Sequence, residues 1–100
     1  MSLVQARAKA AILRVGDGFT VGGNSRTGWF RVTSFGRALL YATPAEADTY
    51  TKPIRILIVP HDDPTTVGDT ISWDGLSLVV KKAVKIRLKG ETVARHLLVA

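Results

Sequence analysis

The sequence contains no cysteine. Disulfide bridges, thiolate nucleophiles and most structural zinc sites are therefore excluded, so packing and partner contacts must hold the fold together. Acidic residues are scarce as well, because 8 Asp and Glu stand against 14 Lys and Arg and give a formal net charge of +6 at pH 7. Long apolar runs are missing although 46% of the residues are hydrophobic, which argues against both a membrane span and disorder.

The length of 100 residues allows a single domain with one modest core. A chain of this size buries only roughly 60 to 65% of the surface that its unfolded form exposes, so its stability is limited unless it assembles with partners. Residues 3–15 are interrupted by Arg7, Lys9 and Arg14, which leave no apolar block of the kind found in signal peptides. We expect an intracellular, soluble protein.

Two short apolar runs meet at Asp74 and Gly75 in the stretch VGDTISWDGLSLVV. A two-residue hairpin turn needs positive φ at its central residues, which Gly accepts freely and Asp tolerates. The pattern therefore predicts a β-hairpin at this step. By the same reasoning, Lys89 and Gly90 predict a second hairpin, and residues 34–37 predict a turn between two β-rich runs.

Short strands account for most of the remaining pattern. Residues 54–59 are apolar at nearly every position, which indicates a strand covered on both faces. The strand after the central hairpin is the longest, and beyond a bulge near Lys81 we predict Val84, Ile86 and Leu88 to point inward. Further strands are predicted over residues 19–21, 29–33, 37–41 and 93–99, and loops over residues 42–52 and 60–68.

One helix is predicted at the amino-terminal end. Ser2 and Gln5 have the spacing of a capping box, good helix formers follow, and Gly16 supplies a stop. The helix should cover about residues 3–14. Together the elements predict a mainly β fold, a small antiparallel β-barrel or sandwich of six or seven short strands with one N-terminal helix. Residues 1–100 form one domain, with the barrel over about residues 19–100.

Charge is polarised along the chain. Half of the acids fall within thirteen residues, and five bases follow within nine. Two patches of opposite sign fit a subunit that meets copies of itself or stacked neighbours, whereas two solvated strand faces explain the same pattern without a partner. The candidate interface residues are Asp62, Asp63, Asp69 and Asp74 on the acidic side and Lys81, Lys82, Lys85, Arg87 and Lys89 on the basic side.

The basic run is also the best candidate for a nucleic-acid surface. Alternate residues of a strand lie about 6.6 Å apart, so Lys85, Arg87 and Lys89 form a row of cations that could follow phosphates. Rings for base stacking are missing from this run, and the nearest one, Trp73, lies on the preceding strand. Solvated lysines that protect an edge strand from aggregation also explain the row.

Catalytic and cofactor patterns are weak. His61, Asp62 and Asp63 are metal-ligand types, but adjacent side chains diverge on an extended backbone and no second His or Glu cluster has a recognised spacing. The glycines at 16, 18, 22 and 23 lack the strand, helix and Gly-Lys-Ser/Thr of a phosphate-binding loop, and no serine has a Gly-x-Ser-x-Gly frame. We expect no enzymatic activity, no metal and no cofactor.

Four segments follow one another in a recognisable order: a short helix (SLVQARAKAAIL), a β-rich stretch (GWFRVTSFGRALL), a strand, polar loop and hairpin (IRILIVPHDDPTTVGDTISWDG), and a last pair of strands (VKIRLKGETVARHLL). This order resembles the small head-completion proteins of tailed bacteriophages, of the stopper or tail-attachment type, which lie in the neck between portal and tail. The Val-Gly-Asp before the Asp-Gly hairpin is similar to the ending of such proteins.

The resemblance implies a small β-barrel with a structural role and no chemistry. It implies a homo-oligomeric ring, a hexamer or dodecamer, that closes the DNA-filled head and joins it to the tail. The implied partners are a portal or adaptor protein on the head side and a tail terminator or tail tube on the tail side, with room for contact with packaged DNA and none with a membrane. The implied location is the virion neck, and the host cytoplasm during assembly. The residues themselves leave one alternative open, a small basic β-barrel that binds nucleic acid.

Overall fold

The computed structural model describes residues 1–50 and 53–100. Within these residues the elements are α1 (Leu3–Val15), β1 (Asp17–Val21), β2 (Asn24–Val32), α2 (Phe35–Ala38), α3 (Pro44–Thr49), β3 (Arg55–Pro60), β4 (Thr70–Trp73), β5 (Leu76–Leu88) and β6 (Glu91–Val99). The six described strands form a closed antiparallel barrel in the order β1-β2-β3-β6-β5-β4. The predicted fold class, mainly β with an N-terminal helix, is confirmed.

Both predicted hairpins form. Asp74 and Gly75 have φ angles of 49° and 74°, and Lys89 and Gly90 have φ angles of 52° and 80°. Positive φ at both central residues gives the turn a twist that matches the right-handed twist of its strands. The two turns lie at opposite ends of β5, which runs the length of the molecule between them.

Apolar side chains from all six strands fill the barrel interior. Phe30 stacks on Trp73 with 4.1 Å between ring centroids and meets Phe19 edge-on at 5.7 Å. These aromatic contacts close one part of a core whose buried members are Phe19, Leu57, Val59, Ile71, Leu78, Val80, Leu97 and Val99. The strand predicted over residues 54–59 is covered on both faces, as expected, because Ile56 lies in a second cluster on the outside of the barrel.

Two predictions for residues 37–52 are wrong. Residues 37–41, predicted as a strand, lie in α2 and the turn after it, and the loop predicted over residues 42–52 contains α3. Residues 51 and 52 lie outside the described part of the chain. Thr43 and Glu46 form a capping box at the start of α3, and Pro44 occupies the beginning of the helix, where its fixed φ is favourable.

The α2 region covers part of the outer surface of the barrel. Ala38 and Ala42 pack with Ile54, Ile56 and Leu98 in the second cluster, so one face of β3 and β6 is removed from water. Small residues at 38 and 42 let the backbone approach the sheet closely. The strands β3 and β6 are therefore buried on both faces at this end of the barrel.

The amino-terminal helix α1 docks beside the tip of the β5–β6 hairpin. Its capping box forms as predicted, with Ser2 and Gln5 satisfying each other's backbone N–H groups. The Ser2 hydroxyl also donates to Glu91 Oε2 at 2.7 Å, and Gln5 Nε2 donates to the Thr92 carbonyl at 2.9 Å. Of the helix's residues only Ile12 is buried, so polar contacts at the first turn and at Lys9 contribute to holding the helix in place.

β5 changes its pairing partner along its length. Its first four residues pair with β4, and from Val80 onward it pairs with β6, with a register shift between Val80 and Lys82. The bulge predicted near Lys81 is confirmed. Among the described residues no strand pairs with the other side of residues 82–88, which we name the β5 edge.

The prediction that Val84, Ile86 and Leu88 point inward is wrong. Val84 is 37% exposed and Leu88 is 51% exposed, while Ile86 is half-buried. The bulge supplies one extra residue, and an extra residue reverses the alternation of side chains, so the apolar set moves to the outer face of the sheet. Val84 pairs with His96 across the two strands, and it is not a member of the barrel core.

Candidate functional site

The four predicted acidic interface residues do not form one patch. Asp62 Oδ2 pairs with Lys9 Nζ at 2.7 Å, and this hydrogen bond lowers the pKa of Asp62. Asp63 Oδ1 accepts a bond from the Thr65 backbone N–H at 2.8 Å. Both carboxylates therefore have structural roles near the end of β3.

Asp69 and Asp74 lie elsewhere. Asp69 Oδ2 accepts a bond from the Thr66 backbone N–H at 2.9 Å, which closes the turn that leads into β4. Asp74 is exposed at the hairpin turn and has no hydrogen-bond or ion-pair partner among the described residues. Within the predicted acidic set, Asp74 alone has a carboxylate that is available to a partner.

The predicted basic residues divide at the bulge of β5. Lys82 Nζ pairs with Glu46 Oε2 at 2.6 Å, and this hydrogen bond raises the pKa of Lys82. Lys81 Nζ lies 5.7 Å from the centre of the Tyr50 ring, within the range of a cation–π contact. These two contacts link the α3 region to the barrel, and of the two lysines only Lys82 has its charge matched by a carboxylate among the described residues.

Glu46 should make the stability of the protein depend on pH in the acid range. Its hydrogen bond with Lys82, with contributions from Thr43, lowers its pKa from 4.5 to about 2. A carboxyl with a depressed folded-state pKa stabilises the fold above its unfolded pKa, and this contribution is lost as the pH falls toward 2. We expect Glu46→Gln, which keeps the cap geometry, to unfold at lower urea concentration than wild type at pH 7 and at the same concentration near pH 2.

The matched control is Asp48→Asn on the same helix, since Asp48 is exposed and forms no described ion pair. This variant should follow wild type across the whole pH range. An undiminished difference between Glu46→Gln and wild type near pH 2 would contradict the role of the Glu46 charge.

The β5 edge carries the remaining basic residues. Lys85 and Arg87 are exposed, and Lys89 follows them in the turn. Lys85 lies directly opposite Arg95 of β6, an arrangement in which like charges repel. Arg95 Nη1 donates to the Asp63 carbonyl at 2.5 Å, but no carboxylate among the described residues pairs with Lys85, Arg87 or Lys89.

The carboxylates that follow His61 have separate partners within the described residues. Asp62 and Asp63 turn to different partners, Lys9 and Thr65, as adjacent side chains were expected to diverge. His61 Nδ1 is buried without a hydrogen-bond partner among the described residues. Across residues 1–50 and 53–100, no three His, Asp or Glu side chains group as metal ligands. The helices in that part of the chain are all too short or too polar to cross a bilayer.

The structure also brings together residues that no sequence pattern links. Arg31 of β2, Arg37 of α2, Tyr41 and His96 of β6 line one small cavity on the outside of the barrel. The Tyr41 hydroxyl lies 3.1 Å from His96 Nδ1, and burial together with the Arg31 charge lowers the pKa of His96. These residues are up to 65 positions apart (96 − 31), and no spacing rule links them.

Comparison with protein-family models, with curated proteins and with solved structures finds no match to this chain. A function for it therefore has to be argued from the geometry. Two features of the described residues offer such an argument: the unpaired, cationic β5 edge and the small cavity with two arginines.

Proposed function

We propose that the chain is a structural subunit of the neck of a tailed bacteriophage, where a ring of copies closes the DNA-filled head and joins it to the tail. A closed barrel with an N-terminal helix is the architecture that the resemblance implies. Such a role needs surfaces that meet neighbouring subunits rather than a catalytic centre.

The β5 edge is the observation that carries this proposal. Its backbone is unpaired on one side, and its side chains are exposed or half-exposed on both faces. A strand edge of this kind is a ready surface for another chain. Unmatched cations at Lys85 and Arg87 favour a neighbour that presents acidic groups.

The same chain supplies acidic groups that fit such a neighbour. Asp17, Asp48 and Asp74 are exposed and lack ion-pair partners among the described residues. Asp74 lies at the opposite end of β5 from the cationic turn at Lys89. Opposite charges at opposite ends support head-to-tail contacts, which form a ring when the rotation between neighbours closes.

A second candidate function is nucleic-acid binding, and one observation favours it. Lys85, Arg87 and Arg95 lie on one face of the β5–β6 hairpin without a carboxylate partner among the described residues. Three cations close together can bind phosphates. An aromatic platform for bases is less favourable here, because Phe30 already stacks on one face of the half-buried Trp73 ring.

Complementation of a gene disruption in the source phage or prophage tests the neck role. We expect disruption to yield DNA-filled or leaking heads beside separate, complete tails when the particles are viewed by electron microscopy. Wild type should restore tailed virions, and Lys85→Glu with Arg87→Glu should not, because the reversed charges repel an acidic neighbour. The control exchanges the two residues, Lys85→Arg with Arg87→Lys, and should restore tailed virions. Normal tailed virions after disruption would refute the neck role.

Fluorescence anisotropy with labelled DNA separates the second candidate. If Lys85, Arg87 and Arg95 each neutralise a phosphate, log K should fall with log salt with a slope of about −3. The charge-reversed pair would then lose binding, and the exchanged pair would keep it. Weak binding that is the same in all variants would exclude the nucleic-acid function and leave assembly as the role of the β5 edge.

A further inference from the structure

A cavity of about 200 Å³ opens on the outer surface of the barrel, between the end of β2, the α2 region and the middle of β3 and β6. Its floor is formed by Ile56 and Ile58, and Val32 and Leu40 line its apolar part. Leu40 is 79% exposed, so an apolar group that packs against it would remove apolar surface from water. The cavity is smaller than the roughly 300 to 1,000 Å³ of a typical cofactor or drug pocket, and it fits one side chain or a small ion.

The charge in this cavity has one sign. Arg31 and Arg37 line it, and none of its described lining residues is acidic. The Arg31 guanidinium carbon lies 5.0 Å from the centre of the Trp29 ring, a contact that holds the cation in place without neutralising it. Arg37 is exposed and has no side-chain hydrogen bond or ion pair with any described residue. Two positive charges without an acid among the described lining residues favour an anion.

Polar groups with unused hydrogen-bonding capacity lie beside the arginines. Thr33 lines the cavity, and its Oγ1 is buried without a hydrogen-bond partner among the described residues. An unsatisfied buried hydroxyl is uncommon in folded proteins and calls for an explanation such as a missing ligand. His96 uses Nδ1 for Tyr41, and no hydrogen bond to its Nε2 is formed within the described part of the chain.

We propose that this cavity is a binding site for a carboxylate that carries a short apolar chain. The carboxylate binds to the Arg31 and Arg37 guanidinium groups, whose planar N–H donors suit its two oxygens, and the carbon chain covers Leu40, Ile56 and Ile58. Inorganic phosphate fits less well. It is more highly charged than a carboxylate, and it has no carbon chain to pack against the apolar walls of the cavity.

Two sources can supply such a group. One is a free small carboxylate, and the other is an acidic side chain of a second copy of this chain. Asp74 is the best candidate within the chain, since it is exposed at a hairpin turn and is followed two residues later by the exposed Leu76. The chemistry that the cavity recognises is the same in both cases.

Titration of the isotope-labelled protein with sodium propionate, followed by NMR, tests the site. We expect saturable shifts of the His96 ring and Thr33 amide signals, and a rise in the pKa of His96, because a bound anion favours the charged imidazole. Sodium chloride at the same ionic strength and neutral propionamide should give neither effect. Absence of a saturable His96 shift with propionate, or an equal shift with propionamide, would overturn the proposal, as would stronger binding of inorganic phosphate.

The variant Arg31→Gln with Arg37→Gln should weaken propionate binding by about tenfold or more, since hydrogen bonds between charged groups are stronger than those between neutral groups. The control is Arg7→Gln with Arg14→Gln, which removes the same charge from exposed positions of α1 and should leave binding unchanged. Equal binding by both double variants would refute the role of the cavity arginines. The wild-type comparison of propionate with propionamide stands even if one variant fails to fold.

The source of the carboxylate is read from the dependence on protein concentration. If a second copy supplies the carboxylate, the His96 signal shifts as the protein concentration rises, because the copies associate. Propionate should then reverse this self-association, and the variant Asp74→Asn should not self-associate. If the natural ligand is a free anion, His96 responds to propionate in the same way at every protein concentration. Both results support the carboxylate site and assign its occupant.

Discussion

Replacement of Gly28 by valine is expected to reduce the free energy of unfolding by about 3 kcal/mol, at the upper end of the usual effect of overpacking a core. A Cβ atom at residue 28 would lie 2.6 Å from Leu57 Cδ1 and 3.0 Å from both the Ile58 carbonyl oxygen and Val59 Cγ1. The backbone oxygen belongs to the neighbouring strand and cannot move without breaking the β2–β3 pairing.

Gly18→Ala in the adjacent strand β1 is the matched control. The nearest atom to a Cβ at residue 18 is the Arg26 carbonyl oxygen at 4.0 Å, so alanine fits there. We expect no loss of stability, and a gain of about 0.4 to 1 kcal/mol because alanine restricts the unfolded chain. Urea unfolding of both variants and wild type measures the effect, and a Gly28→Val midpoint equal to that of wild type would contradict the close approach at residue 28.

Leu97→Ala should cost about 3 kcal/mol or more, within the range found for large-to-small changes in cores. Leu97 is fully buried in β6, and strands pair with β6 on both sides, so the surrounding backbone cannot collapse into the space left behind. A domain of this size is stabilised by only about 5 to 15 kcal/mol in total. The variant should therefore unfold at a much lower urea concentration than wild type.

Leu88→Ala is the control for this change, because it removes the same atoms from a leucine that is half-exposed on the β5 edge. We expect a change of no more than about 0.5 kcal/mol. A large loss in Leu88→Ala would mean that the β5 edge is packed against something in the folded protein, and a small loss in Leu97→Ala would contradict the position of the core.

Local turn and cap chemistry could be predicted from the sequence because it depends on neighbouring residues. Asp74 and Gly75 form their hairpin turn with positive φ, and Ser2 and Gln5 form their capping box. The run at residues 54–59 also has the expected burial, since an uninterrupted apolar strand has no polar face to expose.

Two wrong predictions, for α3 and for the direction of Val84, have different causes. The signal for α3 was present in the sequence, because Thr43, Pro44 and Glu46 have the same capping-box spacing that predicted α1. The direction of Val84 could not be read in this way. Alternation along a strand gives two sets of residues but does not say which set meets the core, and the bulge at Lys81 exchanged them.

Neither candidate surface follows from the sequence alone. The acidic residues of the run 62–74 lie apart from one another in the structure. Asp62 and Asp63 follow the end of β3, whereas Asp74 lies in the hairpin turn at the start of β5. The carboxylates of Asp63 and Asp69 each accept a backbone hydrogen bond in a local turn. The cavity lined by Arg31, Arg37 and His96 depends on the β2-β3-β6 strand order, which places Arg31 and His96 on either side of β3. Such an order is set by long-range pairing rather than by spacing.

The position of β6 has a consequence for the order in which the chain folds during synthesis. β6 is the last of the six described barrel strands to be made, yet it lies between β3 and β5 and pairs with both. Until residues 91–99 have emerged from the ribosome, β3 has an unpaired edge and the barrel cannot close. Folding must then wait for pairing between distant segments, which is slow. In that interval the apolar strand Arg55–Pro60 has an unpaired edge, which favours aggregation.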